Sequence, residues 1–178
     1  MPDLSLNLAM IQSWFPGKAM TLNKPGWSLS VEFFFYILFP FLLNFLYTKM
    51  SLKRLTVLII SFWIFSQVIF HLILLKTIEI PFYEIQDIYY HPVMHLNAFL
   101  MGNLAGLFFL KNKQSQHKNY RFEIVLILIF LLILLRFSSG LNYHNGLLSI
   151  VFAPLIFLLS LNNDKLTNFA SNKIFVFL

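Results

Sequence analysis

Long apolar runs alternate with short polar linkers along this chain. Five runs stand out, at residues 29–47, 55–75, 92–110, 122–137 and 145–161. None shows the period-two alternation of a barrel strand, and each is read as one helical span. A helix needs about 20 residues, at about 1.5 Å each, to cross roughly 30 Å of hydrocarbon, and the first three runs fit that length well. The fourth, "IVLILIFLLILL", is shorter but almost wholly aliphatic, and Arg136 at its end has a stem that can snorkel. The predicted fold class is all-α, a polytopic integral membrane protein of about five transmembrane helices. The opening "MPDLSLNLAMIQSWF" carries Asp3 and no basic residue, unlike a cleaved signal peptide.

Composition agrees with the pattern. Of 178 residues, 58% are hydrophobic, 22 are Phe and only 11% are charged, which places the chain in the membrane class with the lipid bilayer as its first partner. Cysteine is absent, so neither disulfides nor thiol chemistry carries fold or function.

Charge adds an orientation. Nine of the 13 Lys and Arg fall in linkers on one side: Lys49 to Arg54, Lys111 to Arg121, and the tail with Lys165 and Lys173. Lys18, Lys24, Lys76 and Arg136 fall on the other. The positive-inside rule puts the nine in the cytoplasm and residues 27–32 at the outer end of the first span. The net charge of +6 is thus a topology signal, and no nucleic-acid partner is expected, because the basic residues are split among linkers instead of gathered on one surface.

One carboxylate interrupts the first run. In "WSLSVEFFFYILFPFLL" Glu32 stands at the edge of hydrocarbon, and two readings are open. Ser28 or Ser30 caps the helix and Glu32 complements its dipole, an effect of about 0.3–1 kcal/mol, although neither Ser has capping-box spacing to Glu32. Alternatively Glu32 is functional, as ionisable groups inside membranes commonly are, with Ser28 four residues before it on the same helix face. Trp27 offers either an interfacial anchor or a stacking face for a sugar.

The histidines carry less. His91 and His95 have the spacing of a helical metal pair, but Pro92 marks a helix start and no third ligand accompanies them, so no metal is expected. His71 lies near the outer end of the second span, His144 in an outer loop and His117 in a basic linker. Gly102 and Gly106, four apart, favour close helix approach.

The stretch "QSWFPGKAMTLNKPGWSLSVEFFFYILFP" resembles the signature of the integral-membrane O-acyltransferases known as acyltransferase family 3, whose W-S-L-S-V-E segment opens a transmembrane helix. "HPVMHLNAFLMGNLAGLFF" resembles the family's following helix, with His95 near a usual basic position and Asn97 where Glu is usual. "NGLLSIVFAPLIFLLS" and "NKIFVFL" resemble the segments before a Gly-x-x-Ser-Tyr motif. The resemblance implies O-acyl transfer, commonly of acetyl groups, from acyl-CoA as donor substrate to a hydroxyl of a cell-surface glycan or lipid-linked acceptor, with no bound cofactor, at the bacterial inner membrane. It implies that Glu32 is catalytic, orienting a base or the acceptor, and that Trp27, Ser28 and Ser30 bind substrate. Family members carry further helices before and after these segments, the earlier ones with a base histidine. By that comparison residues 1–178 are a single partial domain, an internal fragment. The competing classes are a non-enzymatic transporter-like or assembly subunit and an inactive remnant.

Overall fold

The computed structural model describes residues 2–112, 119–137 and 142–163, and the described residues are helical with no strand. His117, Lys165, Lys173 and the "NKIFVFL" segment lie outside them. The elements are α1 (Pro2–Leu8), α2 (Gly26–Leu42), α3 (Leu52–Leu74), α4 (Ile85–Tyr90), α5 (Leu96–Asn112), α6 (Arg121–Arg136) and α7 (Ser149–Leu161). The chain divides into two compact units, residues 1–101 with 142–147, and residues 102–141 with 148–178.

Among the described residues three stretches are long and apolar enough to cross a membrane: Gly26–Tyr47, Leu52–Leu74 and Pro92–Asn112. They match the first three expected spans. The first begins earlier than its apolar run, because Pro25 precedes the helix and Gly26 opens it, so neither Ser28 nor Ser30 is a cap. Pro40 removes one backbone donor inside α2, and the chain widens into a π turn over Leu43–Tyr47 before the linker. Ser51 caps α3, its hydroxyl accepting from the Arg54 N–H. The third span starts as a 3-10 turn, Pro92–His95, that runs into α5.

The two remaining apolar runs form shorter helices. α6 has 16 residues and α7 has 13. α7 begins at Ser149, not Asn145, because Asn145 (φ 56°) and Gly146 (φ 81°) take left-handed backbone that a right-handed helix cannot continue through. Within the second unit Ile124 and Leu131 of α6 and Val151, Leu155 and Leu161 of α7 are buried. There the Asn162 side-chain oxygen accepts from the Tyr120 N–H at 2.8 Å. The expected close approach at Gly102 and Gly106 is not found: a Cβ on either would meet nothing within 4 Å among the described residues.

In the first unit the segment ahead of α2 is tied down by side chains. Gln12 donates to the Gly26 carbonyl (2.6 Å) and Ser13 to that of Trp27 (3.3 Å). Tyr83 donates to the Trp14 carbonyl (3.0 Å), and Asp87 accepts from the Gly17 N–H (2.6 Å). Lys18 pairs with Asp3 at 2.8 Å. These bonds fix the start of α2 against α4.

Candidate active site

Trp27, in the first turn of α2, sits in a cluster of rings within the first unit. Its indole stacks on His95, with centroids 5.4 Å apart and planes at 29°, and it lies 5.1 Å from Tyr90 and 6.2 Å from His144. His144 in turn faces Tyr89 at 5.1 Å and His95 at 5.7 Å. The starts of α2 and α5 thus meet at one place, as spans that alternate in direction require.

Hydrogen bonds decide which imidazole nitrogens carry protons. His95 Nε2 lies 2.9 Å from the Tyr89 carbonyl, which only accepts, so the proton is on Nε2. His144 Nδ1 lies 2.7 Å from Asn145 Oδ1. The Asn145 amide nitrogen is committed to the Tyr89 carbonyl (3.5 Å), so its oxygen faces His144 and the proton is on Nδ1. His144 is exposed, and among the described residues no hydrogen bond is made by its Nε2.

The turn that presents His144 is held by donors from two spans. Gln67 of α3 and Asn97 of α5 both donate to the Asn145 carbonyl, at 2.9 and 3.0 Å. Trp63, one helical turn before Gln67, donates to the Gly146 carbonyl at 3.0 Å. Asn97 also donates to Ser66 at 2.7 Å. An unmatched buried carbonyl costs about 1–3 kcal/mol, so these three side chains stabilise the turn whose carbonyls they bond. Gly146 is required twice over. Its φ is left-handed, and a Cβ there would clash with Asn97 Oδ1.

The expected site residues do not share this environment equally. Ser30 is fully buried, with a relative exposure of 0%, and its hydroxyl has no partner among the described residues. Ser28 is half-buried and its hydroxyl donates back to the Pro25 carbonyl at 3.0 Å. Glu32 is exposed and makes no hydrogen bond or ion pair among the described residues. At 100° per residue it points about 140° away from Trp27, with Ser28 between them. The structure therefore brings Trp27 to the histidine cluster and leaves Glu32 on another face of α2.

His91 lies beside this cluster, edge-on to Trp14 at 5.0 Å and to Tyr83 at 5.8 Å, and accepts the Val93 N–H on Nδ1. Burial pushes its pKa below the usual histidine value. His71, in the last turn of α3, directs Nδ1 at the Gln67 carbonyl (2.8 Å). Among the described residues no three His, Asp or Glu side chains are placed to hold a metal ion. Sequence reasoning placed His144 in an outer loop and noted Asn97 where the family has Glu, without joining either to a site, and it passed over Asn145 and Gln67. The available signal was "HNG", since Asn-Gly marks a turn even at the edge of an apolar run.

Among the described residues the regular elements are all helices, three of them long and apolar enough to cross a membrane, which is the architecture of a polytopic membrane protein. The family model described as an acyltransferase domain, of acyltransferase family 3, matches residues 1–178, and the chain belongs to that family. No curated protein and no solved structure matches it significantly.

Proposed function

We propose that this protein transfers an acyl group, acetyl first among them, from acyl-CoA to a hydroxyl on a cell-surface carbohydrate or lipid-linked acceptor. It acts as a multi-pass protein of the bacterial inner membrane, with α6 and α7 as fourth and fifth spans and no bound cofactor. The observation that carries this reading is Glu32 itself. An acyltransferase-family chain keeps an unpaired carboxylate in the second turn of a spanning helix, where hydrocarbon makes an idle charge costly.

Glu32 serves there as a catalytic carboxylate, holding a basic group or the acceptor hydroxyl in register for attack on the thioester. Ser28, on the same face, and Trp27, on the neighbouring face towards the histidine cluster, contact the acceptor, and Ser30 in the same turn binds it once that buried hydroxyl is reached. The test uses membranes containing the protein, given radiolabelled acetyl-CoA and a glycan or lipid-linked acceptor. Label transferred to the acceptor with release of CoA thiol is the expected result, and none above protein-free membranes would sink the reading. Orientation is tested separately: cysteine placed at Gln86 should react with impermeant reagent from outside, and cysteine at Ser115 from the cytoplasm alone.

A further inference from the structure

We propose that the linker between α3 and α4 forms a carbohydrate subsite, a cleft that holds sugar units of the acceptor remote from the hydroxyl being acylated and favours uncharged or amino-bearing glycans over acidic ones. It rests on the acyl-transfer reading and on the outward orientation of this linker, but not on the role given to Glu32. A protein grips sugars with few means: an aromatic ring against the apolar face of the pyranose, and charged or amide side chains that bond the hydroxyls around its edge. Those side chains serve best when their backbone is already fixed and no other partner competes for them.

The linker meets these conditions. Its side chains surround an open cleft of about 780 Å³ whose floor is Ile73 and Ile88, both buried in one cluster with Phe70. Lys76, Glu79 and Gln86 line it, all exposed, and among the described residues no hydrogen bond or ion pair engages their side chains. Phe82 is 93% exposed, at a φ of 68° that is rare for a bulky residue. Asp87, by contrast, is buried and committed to structure, accepting from the Gly17 N–H at 2.6 Å and the Glu84 N–H at 3.0 Å. Tyr83 donates to the Trp14 carbonyl at 3.0 Å. The linker is thus pinned to the segment ahead of α2, while the ring of Phe82 and three polar side chains stay open.

Position and charge identify the occupant. The six residues of α4 rise about 9 Å, starting at the cleft and ending at Tyr90, whose ring lies 5.1 Å from Trp27. A short oligosaccharide spans that distance, so one end rests on Phe82 while the other reaches the rim of α2. The lining holds one lysine, Lys76, against two carboxylates, Glu79 and Glu84, so a uronate or a phosphate is repelled and an amino group is attracted. The same carboxylates tell against lipid, because a tip built for hydrocarbon would carry Glu79 and Glu84 towards it along with Phe82.

The test uses the intact protein in lipid nanodiscs, without acetyl-CoA, and soluble trisaccharides as probes: one of N-acetylglucosamine, its de-N-acetylated glucosamine form, and one of galacturonate. The glucosamine probe should bind most tightly and the galacturonate probe least. Phe82→Ala should weaken the first two about tenfold and Phe82→Trp should keep them, both at an unchanged thermal midpoint. Glu79→Lys should reverse the order of the charged probes. Galacturonate bound as tightly as glucosamine, affinities untouched by Phe82→Ala, or no binding of any probe would overturn the subsite. Bimane on Phe82→Cys, in a chain that otherwise has no cysteine, should escape quenching by brominated acyl chains, and quenching would overturn the subsite by giving the tip to the bilayer. Each of these failures leaves transfer from acetyl-CoA by the unaltered protein standing, whereas absence of transfer with probe binding intact overturns the acyl-transfer reading and keeps the cleft as a sugar site.

Discussion

The two faces of α2 are made of similar residues and do different things. On one face Trp27, Ser30, Val31 and Phe34 turn inward: Ser30 and Val31 are buried, Phe34 meets Trp14 edge-on at 5.1 Å, and Trp27 joins the histidine cluster. Phe35 beside them stacks on Phe99 at 4.3 Å. On the other face Leu29, Glu32, Phe33 and Tyr36 are open, Tyr36 to 73%. Aromatic content does not separate the faces, since both are rich in it. What separates them is where polar groups find partners. The inward face meets rings from α4, from the turn ahead of α5 and from α5 itself, whereas the open face presents one carboxylate to lipid or to whatever covers it. A membrane removes the usual meaning of exposure, because an exposed Phe there is solvated by acyl chains and an exposed Glu is not.

The sharpest way to break this comparison is to remove the charge from the open face. Glu32→Gln should cut turnover about 10²- to 10⁴-fold with the melting temperature in detergent nearly unchanged. Glu32→Asp should be impaired as well, since shortening the side chain withdraws the carboxylate from its position. Near-normal turnover in Glu32→Gln would return Glu32 to a helix-end anion and leave the chemistry to the inward face. The next largest effect falls on that inward face. Gly146→Ala puts a Cβ into Asn97 Oδ1 and 2.9 Å from the Ala98 Cβ. It should destabilise the protein by about 2–4 kcal/mol, read as a lowered thermal midpoint, because left-handed strain and a clash with helix-borne atoms add. An unchanged midpoint would mean that the turn is not seated between α3 and α5.

The open face was the legible one. Apolar runs gave three spans to within a few residues, because hydrocarbon length is written directly in run length, and Glu32 stood out as a lone charge in such a run. The inward face was hidden for a physical reason. Its site is assembled from Trp27, Tyr89, His95 and His144, whose proximity comes from tertiary packing and from no local period. The fifth run misled because Asn145 is apolar in neither character nor backbone, yet borders a run long enough to look like one helix with it. Gln67 and Asn97, single polar residues within spans, are visible as exceptions to hydropathy, but their shared target, the Asn145 carbonyl, is not.

Acid should act on the inward face more than on the open one. The folded state holds His91 below its usual value of 6.5, so between that lowered value and 6.5 the unfolded chain binds more protons. Stability contributed by neutral His91 is fully present above about 6.5 and is lost as pH falls towards the lowered value. The loss is at most about 1.4 kcal/mol per pH unit, the limit for one proton. His91→Gln should flatten the fall in thermal midpoint over that range, and an equal slope in the variant would assign the sensitivity to other groups.

The smallest expected effect is also the most direct comparison of two neighbours. Ser28 and Ser30 stand in the same turns of α2, but the Ser28 hydroxyl is bonded to the Pro25 carbonyl while that of Ser30 is buried without a partner among the described residues. Replacing a bonded hydroxyl forfeits a net contribution of about 0.5–1.5 kcal/mol, whereas removing an unmatched buried one relieves its desolvation penalty. Ser28→Ala should therefore lower stability slightly and Ser30→Ala should leave it equal or raise it by up to about 1 kcal/mol. If Ser30 instead reaches substrate, Ser30→Ala will raise KM at constant or improved stability. A stability loss in Ser30→Ala larger than that in Ser28→Ala would show that its hydroxyl has a bonding partner inside the folded protein, and that the inward face is more fully matched than its rings suggest.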